Sequence, residues 1–142
     1  MRIREILHTK GSDVVVITPD SSVSDLVALL AEHNLGAVIV STDGTTMAGI
    51  VSERDVVRRL ATDPDVLTAT VADVMTEVVH TCHPHDTVES LMSTMTDHRI
   101  RHLPVLDDDG RLCGIVSIGD VVKSTITQLQ FERDQLQDYV TH

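Results

Sequence analysis

An internal repeat constrains this chain more than any other feature of its sequence. The segment GIVSERDVV at residues 49–57 recurs as GIVSIGDVV at residues 114–122, which is 65 residues further along. The same offset aligns further pairs without a gap: Pro19 with Pro84, Val23 with Val88, Leu26 with Leu91, His33 with His98, Val40 with Val105 and Asp43 with Asp108. Such self-similarity indicates two copies of one supersecondary unit.

The repeats also suggest how the chain is divided. Upstream the offset changes to 68, because Glu5-Ile6-Leu7 resembles Asp73-Val74-Met75 and the first copy carries about three extra residues around Thr9-Lys10-Gly11. We predict a first repeat at 1–65, a second repeat at 66–124 and a C-terminal helical extension at 125–142, with a linker signal in TDPD at 62–65. A chain of 142 residues has the size of one compact unit.

Each copy is predicted to contain a strand, a helix, two strands and a second helix. The predicted strands are Val14 to Ile17, Ala37 to Val40 and Met47 to Val51 in the first copy, and Val78 to Cys82, Leu103 to Leu106 and Leu112 to Val116 in the second. Ser22 and Ser52 are placed to cap the first copy's helices, and Gly36 marks the end of the earlier one. In the second copy the helices start near Thr87 and Ser117. The predicted fold class is α/β (α+β), with tandem β-α-β-β-α repeats.

The last predicted helix is longer than its counterpart in the first copy. Apolar residues recur at helical spacing up to about Tyr139, at Ile118, Val121, Val122, Ile126, Leu129, Leu136 and Val140. Two interpretations remain open. The helix lies back on its own domain, or it faces a second copy of the chain in a homodimer.

Composition excludes several classes of function. The chain has 11 Lys and Arg against 22 Asp and Glu, a net charge of −11, which disfavours nucleic acid and anionic membranes as partners. One Phe, one Tyr and no Trp leave no aromatic platform for single-stranded nucleic acid. The N-terminal residues show no leader, and no apolar run reaches the roughly 20 residues of a membrane span. Cys82 and Cys113 form no CxxC pair, so we expect free thiols and a cytoplasmic location.

The repeated motif offers chemistry at the start of a helix. In each copy a serine follows the G-I-V strand and an aspartate stands three residues later, as Ser52 with Asp55 and Ser117 with Asp120. This spacing is typical of a capping box. A helix N-terminus also attracts anions, and the aspartate can accept hydrogen bonds from ribose hydroxyls. Capping and ligand binding are compatible.

These motifs together resemble a known family. The doubled G-I-V-S-x-x-D, the segments HNLGAVIV at 33–40 and HRIRHLPV at 98–105, and DVMT at 73–76 are similar to those of the CBS-domain pair, or Bateman module. The resemblance covers almost the whole chain. It implies two α/β repeats related by a pseudo-twofold axis, with clefts between them that bind adenosine-containing ligands such as AMP, ADP, ATP, NAD or S-adenosylmethionine. Proteins of this family usually act as sensors.

The resemblance also implies which residues line the clefts. Ribose and phosphate contacts are expected from Ser52, Asp55, Ser117 and Asp120, adenine contacts from Gly36, Ala37 and Val38 and from Arg101, His102, Leu103 and Pro104, and contacts at the first strand's end from Thr18 and His83. Arg54, Lys10 and Lys123 are further candidates for phosphate. The cluster of His98, Arg99, Arg101 and His102 is either a solvated helix end or a phosphate site. The two clefts are not equivalent, because the matching residues differ between the copies.

Three other functions are alternatives to nucleotide sensing. An enzyme is not predicted, because the sequence has no GxGxxG after its first strand, no GxxxxGK[ST] and no GxSxG. A homodimeric adaptor with degenerate clefts is the main alternative. A metal sensor would use His80, Cys82, His83 and His85, but strand alternation places His83 opposite His80 and Cys82, so four convergent ligands are not expected. No metal site is predicted, and the regulated target protein is not visible in the sequence.

Overall fold

The computed structural model describes residues 1–11, 13–77 and 80–141. The helices are α1 (Ile3–Lys10), α2 (Val23–His33), α3 (Glu53–Leu60), α4 (Val71–Val74), α5 (Val88–His98) and α6 (Ile118–Thr141), with a 3₁₀ turn at Val66–Thr68. The strands are β1 (Val16–Ile17), β2 (Ala37–Val40), β3 (Gly49–Ser52), β4 (His102–Leu106) and β5 (Leu112–Ser117). The predicted α/β class with two repeats and a C-terminal helix is confirmed.

The strands pair in the same way in both repeats. β1 runs parallel to β2, with Val16 opposite Ile39, and β2 runs antiparallel to β3. In the second repeat β4 and β5 are antiparallel, and Cys82 forms a parallel bridge to Val105 where β1 stands in the first. β1 and β3 each begin two residues later than predicted, at Val16 and Gly49. The part of the predicted strand at residues 78 and 79 lies outside the described residues.

Side chains cap the two equivalent helices α2 and α5 as their sequences predict. Ser22 Oγ accepts a hydrogen bond from the amide of Asp25 at 3.0 Å, and Thr87 Oγ1 accepts one from the amide of Ser90 at 3.1 Å. The prediction that Gly36 ends the first helix is wrong, because the chain leaves α2 at Asn34, two residues earlier, with a φ of 53°. Asn tolerates this left-handed conformation because its short polar side chain bonds locally.

The cores of the two repeats do not follow the linear order of the chain. One core combines α2 and strands β1 to β3 with Val66, Val71 and Val74, which come from the start of the second repeat. The other core combines α5, β4 and β5 with residues of α1 at the start of the first repeat, namely Ile3, Ile6 and Leu7. Each repeat is therefore completed by the opening segment of the other.

Backbone hydrogen bonds repeat this exchange on both sides. The amide of Ile3 donates to Asp86 O at 3.0 Å, and that of Val88 donates to Met1 O at 3.0 Å. In the other repeat the amide of Val23 donates to Ala69 O at 2.9 Å, and the amide of Val71 donates to Ser21 O at 2.8 Å. These bonds hold α1 and α4 at matching positions in the two halves.

The glycine of each G-I-V-S motif makes room for the exchanged segment. A Cβ atom at Gly114 would lie 2.6 Å from Leu7 Cδ2, and one at Gly49 would lie 2.9 Å from Thr76 O and 3.0 Å from Met75 Sδ. Real Cβ contacts are essentially never this short. Leu7 and Met75 are the residues that align at the offset of 68, so the close approach is the same in both repeats.

Helix α6 continues well past its counterpart α3 and ends at Thr141, close to the predicted end at Tyr139. Its first turns pack on the second core through Val121, which is 2% exposed. Several of its other large apolar side chains are exposed: Ile118, Val122, Ile126, Leu129, Phe131, Leu136, Tyr139 and Val140. Among the described residues, no helix combines the length and apolar character that a membrane span requires.

Candidate functional site

In the first repeat the predicted site begins with a capping box at the start of α3. The amide of Ser52 donates to Asp55 Oδ2 at 2.9 Å, and the amide of Asp55 donates back to Ser52 Oγ at 3.3 Å. The serine hydroxyl also donates to Asp55 Oδ2 at 3.1 Å. The strand β3 runs directly into this helix, so the serine and the aspartate are held by backbone on both sides. Both side chains remain only partly buried.

The exchanged segment brings a further polar group to this carboxylate. Thr76 follows α4 and donates its hydroxyl to Asp55 Oδ1 at 3.1 Å. Sequence reasoning used Thr76 only as part of the DVMT motif and did not assign it to the site. The contact depends on the crossing of α4 onto the first repeat, which the linear sequence does not display.

In the second repeat the equivalent aspartate has a charged partner. The amide of Ser117 donates to Asp120 Oδ2 at 2.8 Å, and the amide of Asp120 donates to Ser117 Oγ at 3.1 Å. Lys10, the last residue of α1, donates its ammonium to Asp120 Oδ2 at 2.6 Å and to the carbonyl oxygen of Ile115 at 2.9 Å. Lys10 therefore lies beside Asp120 as Thr76 lies beside Asp55.

The local environment lowers the pKa of Asp120. Burial acts to raise it, because a charged carboxylate loses hydration inside the protein. The hydrogen bonds from Lys10 and Ser117 and the charge of Lys10 outweigh that cost. Asp120 is therefore ionised at neutral pH and stays able to accept hydrogen bonds.

The start of each middle strand lies next to these helix starts. The amide of Glu53 donates to Gly36 O at 3.0 Å, and the amide of Ile118 donates to Arg101 O at 2.9 Å. The side chains of the adjoining strand residues Ala37, Val38, Leu103 and Pro104 are buried. The predicted adenine contacts from these four residues would thus have to come from backbone groups.

His102 of the second repeat lies close to Gly36 of the first repeat. A methyl group at Gly36 would lie 3.6 Å from His102 Cε1, which is ordinary contact distance. Burial is the main cause that lowers the pKa of His102, and the nearby Lys10 and Arg101 lower it further. The carboxylates of Asp120 and Glu53 act in the opposite direction. Charged groups of both repeats therefore surround a largely neutral imidazole.

Three other residues that were predicted to contact the ligand are Thr18, His83 and Arg54. Thr18 Oγ1 is 2.6 Å from Ser21 Oγ in the turn before α2. His83 Nε2 is 2.6 Å from Asp108 Oδ1, and its ring stacks on His85 with centroids 4.9 Å apart. Arg54 is exposed on α3. Among the described residues, the hydrogen bonds of Thr18 and His83 do not reach either Ser-Asp pair, so their role in ligand binding stays a prediction.

Two clefts lie along α6 on the side of the second repeat. The cleft between α1 and α6 has a volume of about 410 Å³ and is lined by Met1, Glu5, Ile6, Thr9, Lys10, Asp120, Lys123, Ser124, Thr127, Gln128 and Phe131. The adjacent cleft, of about 590 Å³, is lined by Arg101, Ile118, Gly119, Val122, Lys123, Ile126 and Thr127. Lys123 borders both. Ile6 of α1 was not predicted to line the cleft between α1 and α6, because it reaches that cleft only through the exchange.

The candidate metal ligands are engaged in other contacts. The rings of His80 and His98 stack with centroids 3.8 Å apart. Burial raises the pKa of Cys82 to about 12, so its thiol stays protonated and is a poor metal ligand. Within residues 1–11, 13–77 and 80–141, no group of three or more His, Cys, Asp or Glu side chains is placed to hold a metal ion.

Comparison with known proteins identifies the family. The sequence profile of the CBS domain matches residues 3–62 and 71–126. The "CBS domain-containing protein CBSX3, mitochondrial" of Arabidopsis thaliana is 36% identical, and the match covers 97% of this chain and 71% of that protein. The crystal structure of a CBS-domain-containing protein from Agrobacterium tumefaciens is 40% identical with a TM-score of 0.84, over 88% of this chain and 99% of that one.

A crystal structure of CBSX2 in complex with AMP is also similar, with 28% identity and a TM-score of 0.70, over 81% of this chain and 89% of that one. The resemblance to a CBS-domain pair is confirmed by these matches. Two copies of the domain, in the predicted order, account for most of the sequence. This chain belongs to the CBS-domain family.

Proposed function

We propose that this chain is a regulatory module that binds an adenosine-containing nucleotide, AMP, ADP, ATP or NAD, in clefts between its two repeats. The observation that carries the proposal is the pair of carboxylates, Asp55 and Asp120, each fixed by its own serine at the start of a helix. The 28% identity to CBSX2, whose structure contains AMP, supports this class of ligand.

The proposed binding mode uses each chemical group of the nucleotide. The ribose hydroxyls donate to the aspartate, since an ionised carboxylate accepts two hydrogen bonds with good geometry. The phosphate lies toward the helix start and its basic neighbours. The adenine lies on backbone groups at the starts of β2 and β4, because the side chains of Ala37, Val38, Leu103 and Pro104 are buried.

Titration of AMP into single variants tests this binding mode. Asp55→Ala and Asp120→Ala should each weaken binding at one cleft by roughly 10- to 100-fold, the equivalent of losing about 1.5–3 kcal/mol of hydrogen bonding to a charged acceptor. Asp109→Ala, in an exposed turn, is the matched control for removal of one carboxylate. Isothermal titration calorimetry measures each affinity. AMP binding that is equal in all three variants and the parent protein would refute the proposal.

The module would act by changing shape rather than by catalysis. A ligand shifts a conformational equilibrium only as far as its affinities for the two states differ. Each repeat is completed by a segment of the other. A nucleotide that contacts Asp120 and Lys10 would therefore also change the position of α1. The regulated target and a cytoplasmic location stay predictions.

A homodimeric adaptor is the second candidate function. The observation that favours it is the row of exposed apolar side chains at the start of α6, where Val122 is 52% and Ile126 is 50% exposed. Val57, at the matching position of α3, is 64% exposed. A second copy of the chain would cover these residues.

Two measurements separate the adaptor from the sensor. Val122→Glu and Ile126→Glu should convert a dimer to a monomer in analytical ultracentrifugation, because each places a charge in an apolar contact. Thermal shift with AMP, ATP, NAD and S-adenosylmethionine then reports on ligands. A dimer without any ligand-induced shift would favour the adaptor, and a shift would favour the sensor.

A further inference from the structure

The two carboxylates of the repeated motif differ in the charge of their partners. Asp120 Oδ2 accepts a hydrogen bond from the ammonium of Lys10, whereas Asp55 Oδ1 accepts one from the neutral hydroxyl of Thr76. The two partners are not equivalent in sequence, since Lys10 is the last residue of α1 whereas Thr76 lies two residues beyond the end of α4. The site at Asp120, named the second cleft from here on, therefore holds a fixed positive charge, whereas the partner in the site at Asp55, named the first cleft, is a neutral hydroxyl.

Lys10 is positioned by the fold rather than by its own contacts alone. Helix α1 is anchored in the second core by Ile3, Ile6 and Leu7, which are at most 8% exposed. The helix ends directly after Lys10, where Gly11 has a φ of 94° and its amide donates to Leu7 O at 2.8 Å. Lys10 also belongs to the three-residue insertion that the second repeat lacks. The fold thus holds the Lys10 ammonium beside Asp120.

The neighbouring groups leave room for a ligand to share this ammonium. Asp120 Oδ2 is occupied by Lys10 and by the amide of Ser117, while Oδ1 accepts no hydrogen bond from any residue that the structure describes. An ammonium has three N–H donors, and two of those of Lys10 go to Asp120 and Ile115. A ribose hydroxyl can reach Oδ1 while the third donor of Lys10 faces a phosphate.

The surrounding cleft adds further positive charge. Lys10 and Lys123 line the cleft between α1 and α6, and Arg101 and Lys123 line the adjacent one. The chain as a whole has a net charge of −11, so these three cations form a local basic region in an acidic protein. Hydrogen bonds between an ammonium and a phosphate are charge-assisted and about twice as strong as neutral ones.

We propose that Lys10 makes the second cleft selective for adenosine ligands that carry a phosphate, because its ammonium bridges Asp120 and that phosphate. This inference rests on the proposed nucleotide-binding function and adds a specificity to one of its two clefts. Adenosine itself, which has no phosphate, gains nothing from the bridge. The first cleft, where the neutral hydroxyl of Thr76 contacts Asp55, discriminates less between the two ligands.

The test isolates the second cleft in an Asp55→Asn background and compares AMP with adenosine by isothermal titration calorimetry. Lys10→Met should weaken AMP binding by about tenfold or more, the loss expected for one charge-assisted hydrogen bond, and should leave the adenosine affinity unchanged. Lys10→Arg keeps the cation and should retain the preference for AMP. Arg4→Met removes the same charge from an exposed position of α1 and is the matched control.

The outcomes separate this inference from the proposed function. If the Asp55→Asn protein binds neither AMP nor adenosine, the proposed function fails at the second cleft and the inference fails with it. If that protein binds AMP and Lys10→Met keeps the same ratio of AMP to adenosine affinity, the inference is wrong while nucleotide binding stands. Salt provides a check without any change at Lys10, because AMP affinity should fall with ionic strength and adenosine affinity should not.

Discussion

The exchange of helix α1 onto the second repeat can be tested by adding and removing atoms at one contact. A methyl group at Gly114 would lie 2.6 Å from Leu7 Cδ2, 3.2 Å from Cδ1 and 3.5 Å from Cγ. Optimal carbon contacts are about 3.5–4.0 Å, so the first distance is short by roughly 1 Å. Leu7 is 8% exposed and packs among core residues, so its side chain has little space into which to move.

The size of the effect follows from these contacts. Gly114→Ala should lower the free energy of unfolding by about 1–3 kcal/mol through overpacking. Leu7→Ala should lower it by about 2–5 kcal/mol through the cavity that it leaves. Leu7→Ala removes all three atoms that the new methyl would meet, so in the double variant the cost of Gly114→Ala should nearly vanish. The coupling energy should then be about 1–3 kcal/mol, with the double variant more stable than the sum predicts.

Urea unfolding followed by far-ultraviolet circular dichroism measures the four free energies, and an unchanged m value confirms that the unfolded states are comparable. Gly49→Ala combined with Leu7→Ala is the matched control. Gly49 faces Met75 and Thr76 rather than Leu7, so these two changes should add to within about 0.5 kcal/mol. If Gly114→Ala costs the same with and without Leu7, helix α1 does not pack against this strand and the crossed arrangement is refuted.

Four further predictions concern ionisation, thiol accessibility and metal. Asp120→Asn should lower the free energy of unfolding at neutral pH by about 1–2 kcal/mol. This difference should disappear as the pH falls below 3.8, because the folded carboxyl is then protonated as the pH passes through its lowered pKa. A difference that persists in acid would contradict the ion pair with Lys10. Because burial raises the pKa of Cys82 from 9.0 to about 12, stability should fall as the pH rises across that range, and Cys82→Ala should abolish this component of the fall. Under native conditions iodoacetamide should modify the less buried Cys113 before Cys82, and mass spectrometry reads the order. EDTA should leave the melting temperature of the protein unchanged. A lower melting temperature in EDTA would instead support the hypothesis that His80 and His83 bind a metal ion.

The local parts of the fold could be predicted because they depend on neighbouring residues. The offset of 65 residues located both repeats, and hydrophobic patterns predicted each described strand to within two residues of its observed start. N-caps such as Ser22 and Ser52 were correct, since a cap bonds only to its own helix. The end of α2 was misplaced because Asn34 as well as glycine can adopt a left-handed conformation.

The candidate site could be predicted only in part. The positions of Asp55 and Asp120 relative to their serines follow from a three-residue spacing in one helix turn. Their outer partners, Thr76 and Lys10, could not be predicted from spacing, because they come from sequence 21 and 110 residues away. The periodicity of apolar residues and the secondary-structure propensities of single residues carry no information about contacts at such separations in sequence.

The sequence by itself determined the repeat, the order of elements, the caps and the placement of the Ser-Asp pairs, all of which depend on short-range periodicity and on backbone groups within one turn. Only the tertiary structure decided that α1 and α4 exchange between the repeats. That exchange gives Gly49 and Gly114 a packing role in close contact with Met75 and Leu7, and it places a cation beside one carboxylate and a hydroxyl beside the other. The physical reason is that burial of an apolar helix face is non-directional, so the pattern on α1 specifies that it must be buried but not which core receives it.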